Sequence, residues 1–214
     1  MKAVYIPNDQ PMKVVSHDYP TMIRVNVNDT FTAAHALHRR GFKTCCLNFA
    51  SHKRPGGGYK GKAKAQEEDL FRRSNLPNLM DNKDIRKFYP LHSGAIYCPT
   101  VTVTKDARLQ PNTNFETSVI SMPAPNDPQS DEDRMEYFIR ANRILEIAAN
   151  FEHEYLVLGA WGCGVFKNDP VQSAHTWNDL IHGKFKGVFK GVAFVILGKK
   201  ENYEAFSTVI AREG

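Results

Sequence analysis

Strand-length apolar runs alternate with segments of helical periodicity along this chain, and that alternation limits the folds it can adopt. Residues 22–27, 43–49 and 155–159 are short apolar runs that each lead into a polar or glycine-rich connection. The pattern predicts an α/β domain of three layers, in which a mixed β-sheet is covered by helices on both faces. Further strands are predicted at 95–103, 118–122 and 192–197, and helices at 31–39, 66–75, 131–150, 170–182 and 201–211, with 77–93 irregular.

The length of the chain suits a single domain. Its 214 residues are enough to bury one large hydrophobic core. Because no internal repeat or change of composition marks a boundary, we predict one domain over residues 1–214. Residues 1–21 are then an N-terminal extension of unclear role, and a monomer is the default expectation.

Features typical of secretion or membrane insertion are missing from the sequence. The N-terminal residues lack the apolar segment of a signal peptide, and the longest apolar run, 192–197, is too short to span a bilayer. We therefore expect an intracellular protein, cytoplasmic or nuclear, that is not secreted and has no membrane partner. The cysteines form no Cys-x-x-Cys pair and indicate reduced, buried thiols: Cys45, Cys46, Cys98 and Cys163.

The charge of the chain leaves two interpretations open. A formal net charge of +5 and a pI near 9.0 favour an anionic partner such as nucleic acid, a polyphosphate chain or a nucleotide. The acidic side chains are also numerous, so the charges equally fit a solvated surface of mixed sign.

A proline followed by three glycines lies in a connection that we call the triple-glycine loop (residues 51–65). Such glycines let the backbone adopt positive φ and approach a bulky ligand closely. Two acidic residues, Glu67 and Glu68, then open a predicted helix directly after this loop. Acidic residues also stabilise a helix start without any further role. Their combination with the glycines favours a functional site.

The second glycine loop (residues 159–170) also follows an apolar run and leads into a predicted helix. Glycine-rich backbone before a helix N-terminus is suited to binding a phosphate or diphosphate. The spacing matches neither a Walker A loop nor a dinucleotide-binding fingerprint.

The two loops together resemble those of poly(ADP-ribose) glycohydrolases. From about Met22 onward the chain is similar to the microbial branch of that family. The resemblance implies a macrodomain fold that binds ADP-ribose at the strand ends, no cofactor, and cleavage of poly(ADP-ribose) from its chain ends. It rests on LNFASHKRPGGG, AQEE, PAPN at 123–126 and LGAWGCGVFKNDP.

The same resemblance implies a role for each matching residue. Glu68 corresponds to the catalytic acid, and Glu67 to the neighbouring carboxylate that holds ribose hydroxyls. The predicted substrate contacts on the ribose side are Asn48, Ala50, Gly56, Gly57, Gly58 and Gln66. The predicted diphosphate loop with its flanking aromatic consists of Gly162, Cys163, Gly164, Val165 and Phe166.

These roles agree with the chemistry of an O-glycosidic bond at a ribose. The bond breaks through an oxocarbenium-like transition state, and the leaving oxygen needs a proton. A carboxyl beside a second carboxylate in a ligand-filled cleft has a raised pKa. We therefore expect Glu68 to protonate the leaving group and then activate water, while Glu67 orients the substrate.

Two departures from the family pattern lie in the triple-glycine loop. Ser51 replaces an asparagine that many relatives carry. The segment 59–65 is unusually basic, with Lys60, Lys62 and Lys64. These lysines fit two interpretations: contacts to the phosphates of a longer polymer or of nucleic acid, or plain solvated charges.

Other functions remain open at this point. The chain could bind ADP-ribose without cleaving it, because a fold alone does not confer catalysis; a pure binding module would not need Gln66, Glu67 and Glu68. It could instead remove single ADP-ribose units from protein or from nucleic acid. A nucleic-acid binder without activity fits the charge, but no RRM, KH or OB signature is present.

Metal and thiol chemistry have weaker support in the sequence. His35 and His38 share one predicted helix face, and His175 and His182 share another, without a zinc motif. We therefore predict no metal. Cys163, near a helix start, could have a lowered thiol pKa, but we expect it to be a packing residue.

Overall fold

The computed structural model describes residues 2–211 of the chain, and these form an α/β structure. The strands are β1 (Val4–Ile6), β2 (Met22–Asn26), β3 (Thr44–Phe49), β4 (Ala95–Lys105), β5 (Pro111–Met122), β6 (Tyr155–Leu158) and β7 (Gly191–Val195). The helices are α1 (Thr30–His38), α2 (Gln66–Arg73), α3 (Leu76–Met80), α4 (Lys83–Arg86), α5 (Asp131–Asn150), α6 (Pro170–His182) and α7 (Lys200–Ala211).

One compact unit combines residues 2–11 with residues 30–123. Its strands lie in the order β1-β4-β5-β3. The β1/β4 and β4/β5 pairs are antiparallel, whereas β3 and β5 are parallel. Helices α1 and α2 pack against this part of the sheet. The unit therefore has a mixed sheet, and it contains the whole triple-glycine loop.

The second compact unit combines residues 12–29 with the described residues from 124 onward. Strands β6, β7 and β2 are neighbours in that order, and both pairs are parallel. Helix α6 packs against α5 and α7, and α7 packs against β2. The second glycine loop connects β6 to α6 within this unit.

The predicted α/β class, with a mixed sheet flanked by helices, is confirmed. The bounds of α5 and α6 agree with the prediction, and each helix has a capping residue, Ser130 and Asp169, that accepts backbone N–H groups of its first turn. The caps explain why these helix starts are readable from sequence.

Three local predictions differ from the structure. Residues 77–93 are not wholly irregular, because α3 and α4 lie at Leu76–Met80 and Lys83–Arg86; each is too short to produce a helical period. Strand β5 is far longer than the predicted 118–122, and it forms an antiparallel pair with β4, which ends two residues beyond its predicted range. The N-terminal extension contributes β1, which extends this sheet beside β4.

Within residues 2–211, helices that combine enough length and apolarity to cross a membrane are absent.

Candidate active site

The Gln66 side chain links the start of α2 to two neighbouring elements. Its amide nitrogen donates to the carbonyl of Leu47 at 2.8 Å and to the hydroxyl of Thr30 at 3.0 Å. Its amide oxygen accepts the N–H of Phe49 at 2.9 Å. These bonds fix α2 against the end of β3 and the start of α1. The predicted contact of Gln66 with substrate stays a prediction.

The Glu67 carboxylate is buried, with 3% of the residue exposed, and it binds the backbone on both sides of the proline. One oxygen accepts the N–H of Ser51 at 2.8 Å. The other accepts the N–H of Gly56 at 3.1 Å and the side-chain amide of Asn48 at 3.3 Å. Glu67, on α2, therefore holds the loop backbone at Ser51 and Gly56 and also binds Asn48 on β3.

Burial raises the pKa of Glu67 to about 7, and the charge of Glu68 acts in the same direction. The hydrogen bonds that its carboxylate accepts act in the opposite direction, because they favour the ionised form. The residue to which the sequence assigned an orienting role, Glu67, therefore has a raised pKa.

The Glu68 carboxylate binds the two ends of the basic segment of the loop. One oxygen accepts the N–H of Gly58 at 2.8 Å, and the other accepts the N–H of Ala65 at 2.9 Å. The second bond satisfies a free N–H group at the start of α2, which is the role of an acid at this helix position. Only 7% of Glu68 is exposed. Residues 59–64 therefore lie between two hydrogen bonds to one carboxylate.

Gly57 lies where no side chain fits. Its φ is +54°, and a Cβ atom there would lie 2.5 Å from an oxygen of Glu68 and 3.0 Å from an oxygen of Glu67. Gly56 also has positive φ, +73°, and a Cβ there would overlap the ring of Phe71. The glycines therefore allow the backbone to pass directly beside the paired carboxylates.

Asn48 lies at the base of this arrangement, on β3, and is completely buried. Its amide nitrogen donates to Glu67 and, at 2.9 Å, to the hydroxyl of Ser121 on β5. Its Oδ1 atom is buried and has no hydrogen-bond partner among the described residues. Ala50, the next predicted contact, is also buried, and its N–H donates to the carbonyl of Met122.

Asp81 binds two side chains of the basic segment (residues 59–65), and the sequence analysis did not predict this role. Its carboxylate accepts the hydroxyl of Tyr59 at 3.0 Å and pairs with Lys60 at 2.8 Å and with Arg86. Although burial opposes the change, these partners lower the pKa of Asp81. Arg72 adds bonds to the carbonyls of Tyr59 and Gly61, at 3.0 and 3.1 Å.

In the second glycine loop, one buried amide holds the backbone. The side-chain nitrogen of Asn168 donates to the carbonyls of Pro125, Gly162 and Phe166, at 2.7, 3.2 and 3.3 Å. Gly162 has φ +77°, and a Cβ there would lie 2.5 Å from that nitrogen. The conformation of this loop is therefore stabilised by a neutral side chain that donates hydrogen bonds to backbone carbonyls.

The tip of the second glycine loop faces solvent. Val165 is 83% exposed, and a Cβ at Gly164 would meet no atom within 4 Å. Within residues 2–211, the backbone N–H groups of Gly164 and Val165 donate to no acceptor. Phe166 is half-buried, and its carbonyl accepts the N–H of Asp127 at 2.7 Å. Unpaired N–H groups at an exposed loop tip can bind an anion.

Cys163 is a buried thiol rather than a reactive one. It lies 3.4 Å from the hydroxyl of Ser173, and burial raises its pKa to about 11. The possibility of a lowered thiol pKa is therefore wrong, and the burial of Cys163 agrees with the expectation of a packing residue. All four cysteines are free and buried.

The histidines considered for metal binding either pack against an aromatic ring or are exposed. His35 stacks on Phe115 with ring centroids 4.7 Å apart, and His38 lies 5.6 Å from the same ring. His175 and His182 are exposed. Groups of three or more metal-ligating side chains do not occur in the described part of the chain.

A mixed α/β sheet, with two carboxylates at the start of α2 that bind a triple-glycine loop following β3, is the arrangement of a macrodomain-like hydrolase. The family described as microbial-type PARG, catalytic domain, matches residues 2–106. Poly(ADP-ribose) glycohydrolase from Thermomonospora curvata is 32% identical, with a TM-score of 0.90, over 97% of this chain and 85% of that chain. No curated protein sequence matches the chain.

Two liganded structures are also similar to this chain. Poly(ADP-ribose) glycohydrolase from Deinococcus radiodurans in complex with ADP-ribose is 35% identical, with a TM-score of 0.85, over 91% of this chain and 86% of that one. The Thermomonospora curvata enzyme bound to the inhibitor ADP-HPD is 34% identical, with a TM-score of 0.83, over 91% and 80%. The chain therefore belongs to the microbial-type poly(ADP-ribose) glycohydrolase family, and it is an enzyme of that class.

Proposed function

We propose that this chain releases ADP-ribose from poly(ADP-ribose), and that Glu68 is the general acid and base of the reaction. The observation that carries the assignment is the position of the Glu68 carboxylate, held by the N–H groups of Gly58 and Ala65 beside Gly57. Each oxygen accepts one N–H and keeps a second lone pair that can carry the transferred proton. The absence of a Cβ at Gly57 lets a sugar approach this carboxyl closely.

The reaction needs one proton donor and one water. Glu68 gives its proton to the leaving oxygen as the bond from that oxygen to the ribose anomeric carbon breaks. Water then adds to the oxocarbenium-like carbon and returns a proton to Glu68. The products are free ADP-ribose and a polymer that is one unit shorter, and Glu68 is again in its acid form.

Glu67 acts as a positioning residue in this proposal. Its carboxylate is occupied by Ser51, Gly56 and Asn48, so it fixes the backbone around the reacting sugar and is not free to attack it. The unpaired Oδ1 atom of Asn48 supports a further role, as acceptor for a ribose hydroxyl.

The remaining substrate contacts follow the family resemblance. Ala50 and the three glycines, Gly56, Gly57 and Gly58, contact the ribose next to the scissile bond. Gly162, Cys163, Gly164, Val165 and Phe166 bind the diphosphate, and the unpaired N–H groups of Gly164 and Val165 support this part of the proposal.

The setting of the enzyme is part of the same proposal. Residues 1–214 act as one catalytic domain and as a monomer on ADP-ribosylated proteins, with ADP-ribosylated nucleic acid as a second target. The free, buried cysteines favour an intracellular, cytoplasmic or nuclear location.

The test measures release of free ADP-ribose from automodified polymer by the wild type, by Glu68→Gln and by Glu67→Gln, together with ADP-ribose binding to all three. We expect Glu68→Gln to bind ADP-ribose and to lose about 10³-fold in rate, within the range for general acid–base catalysis. If the wild type binds ADP-ribose but does not cleave polymer, the proposal that it hydrolyses poly(ADP-ribose) is wrong. Single-unit substrates on protein and on DNA then distinguish a mono-ADP-ribosyl hydrolase from a binding module.

A further inference from the structure

The excess positive charge of the protein is concentrated in one loop. Residues 51–65 contain five lysines and arginines and no acidic residue, whereas the whole chain has a formal net charge of +5. The rest of the chain is therefore electrically balanced. A local excess of this kind attracts an anion to one place rather than to the surface in general.

Two of these basic groups are already engaged by the protein. Lys60 pairs with Asp81, and the Arg54 side chain donates to the carbonyl of Gly57 at 2.8 Å. Lys62 and Lys64 are different: both are exposed, and neither has an acidic partner within residues 2–211. They are the charges of the basic segment that remain available to a ligand.

The backbone that carries Lys62 and Lys64 is held in place. Arg72 binds the carbonyls of Tyr59 and Gly61. At the other end, Ala65 donates its N–H to Glu68 at 2.9 Å. A segment fixed at both ends presents its side chains in a defined direction, which a mobile loop does not.

The position of the segment relative to Glu68 indicates which part of the substrate it meets. Both backbone groups that bind the Glu68 carboxylate, at Gly58 and Ala65, lie at the ends of this segment. The atom that receives the proton from Glu68 is the leaving oxygen. The leaving portion of the substrate therefore begins beside the segment that carries Lys62 and Lys64.

We propose that Lys62 and Lys64 form a subsite for the diphosphate of the polymer unit on the leaving side of the scissile bond. The inference rests on the proposed function, because only a polymer places a diphosphate there. It makes the enzyme selective for poly(ADP-ribose) over single ADP-ribose units whose leaving group has no phosphate.

The decisive variant is Lys62→Gln/Lys64→Gln. Its matched control is Lys105→Gln/Lys186→Gln, which removes two exposed lysine charges outside the triple-glycine loop. Two substrates share the same ADP-ribose portion: polymer of fractionated length, and ADP-ribose that carries a phosphate-free nitrophenyl leaving group at the anomeric carbon. Only the polymer places phosphates beside Lys62 and Lys64.

We expect the variant to lose about tenfold in kcat/KM on polymer at low salt, as for two exposed ion pairs, and to keep its rate on the nitrophenyl substrate. The difference shrinks as salt screens the charges. The control variant behaves as the wild type on both substrates. Equal rates of variant and wild type on polymer would overturn the proposal, and so would equal losses on both substrates.

A binding measurement keeps this inference separate from the catalytic one. In the Glu68→Gln background, the lysine substitutions are expected to weaken polymer binding and to leave free ADP-ribose binding unchanged. If the wild type cleaves no polymer, the proposed function fails while this measurement still decides the subsite. If single-stranded DNA with as many phosphates binds more tightly than polymer, and that binding needs both lysines, the site is a nucleic-acid site and the proposal fails.

Discussion

The two glycine-rich loops of this protein are stabilised in opposite ways. In the triple-glycine loop, carboxylates of Glu67 and Glu68 accept backbone N–H groups. In the second glycine loop, the neutral amide of Asn168 donates to backbone carbonyls, and the N–H groups at the tip have no partner among the described residues. The triple-glycine loop thus donates N–H groups to the acids of α2, whereas the N–H groups of Gly164 and Val165 have no acceptor within residues 2–211.

This difference separates chemistry from binding. A charge-assisted hydrogen bond is about twice as strong as a neutral one, so the first loop holds its acids in a narrow range of positions. A proton-transfer group needs such positioning. In the proposed mechanism, the second glycine loop needs only to present N–H donors to the diphosphate. We therefore expect changes in the first loop to lower kcat, and changes in the second to raise KM.

The largest effect is expected from Gly57→Ala. The new Cβ would lie 2.5 Å from an oxygen of Glu68, on a backbone with φ +54°, so the carboxyl group must move. We predict a loss of about 10³-fold in kcat, comparable to removal of the acid itself. The matched control is Gly164→Ala, where a Cβ meets nothing, and its kcat should stay near that of the wild type. Similar kcat losses in both variants would remove the contrast between the loops.

The pH dependence of stability is the next largest effect. The pKa of Glu67 in the folded protein, about 7, lies above its ordinary value of 4.5. The folded state therefore binds more protons than the unfolded state between these values. The resulting stabilisation is complete below pH 4.5 and is lost as pH rises through 7. Relative to Glu67→Gln, we predict that the free energy of unfolding of the wild type falls by about 3 kcal/mol over this window.

Urea denaturation of both proteins at a series of pH values measures this difference. Subtracting the profile of Glu67→Gln removes the contribution of all other titrating groups. Parallel profiles for the two proteins would show that the pKa of Glu67 is the same in the folded and unfolded states, and its hydrogen bonds would then balance its burial.

A smaller pair of effects compares the supports of the two loops. Asp81→Asn removes the charge that holds Tyr59 and Lys60, and we predict a fall of about tenfold in kcat with little change in ADP-ribose affinity. Asn168→Ala removes the side-chain donor that three carbonyls share, and we predict a fall of about tenfold in ADP-ribose affinity. Calorimetric titration measures the ADP-ribose affinity of each variant, and steady-state rates measure its kcat. A loss of affinity in Asp81→Asn together with a loss of kcat in Asn168→Ala would contradict the contrast between the two loops.

The smallest effect is expected at Cys163. Burial raises the pKa of its thiol to about 11, so it is not a nucleophile at neutral pH. We predict that Cys163→Ala keeps kcat within about twofold, because its side chain packs and takes no part in proton transfer. Rate measurements on polymer check this, and a large loss of kcat would give the thiol a chemical role.

The sequence predicted the elements whose signals are local. The bounds of α5 and α6 and the apolar run of β3 are readable because the signal for each lies in neighbouring residues. Strand β1 has only three residues and is stabilised by its pairing with β4, which no local pattern reveals. The length of β5 was missed for the same reason, since much of it is exposed.

The candidate site was predictable in its motifs and not in its supports. The glycines and the paired glutamates are adjacent in sequence, so their association is evident. Ser121, which binds Asn48, lies 73 residues after it in the chain. Asp81, which binds Tyr59, lies 22 residues after it. The raised pKa of Glu67 depends on three-dimensional burial. These contacts and this burial could not be predicted from the sequence, because they depend on which distant residues the fold brings together.

The most direct test of the role of Glu68 compares two leaving groups. Single-turnover rates are measured for the wild type and Glu68→Gln on polymer and on the nitrophenyl ADP-ribose substrate, whose leaving group departs without a proton. A general acid at Glu68 predicts a loss of about 10³-fold on polymer and a loss at least about tenfold smaller on the nitrophenyl substrate. Equal losses on both substrates would contradict the assignment of Glu68 as the proton donor.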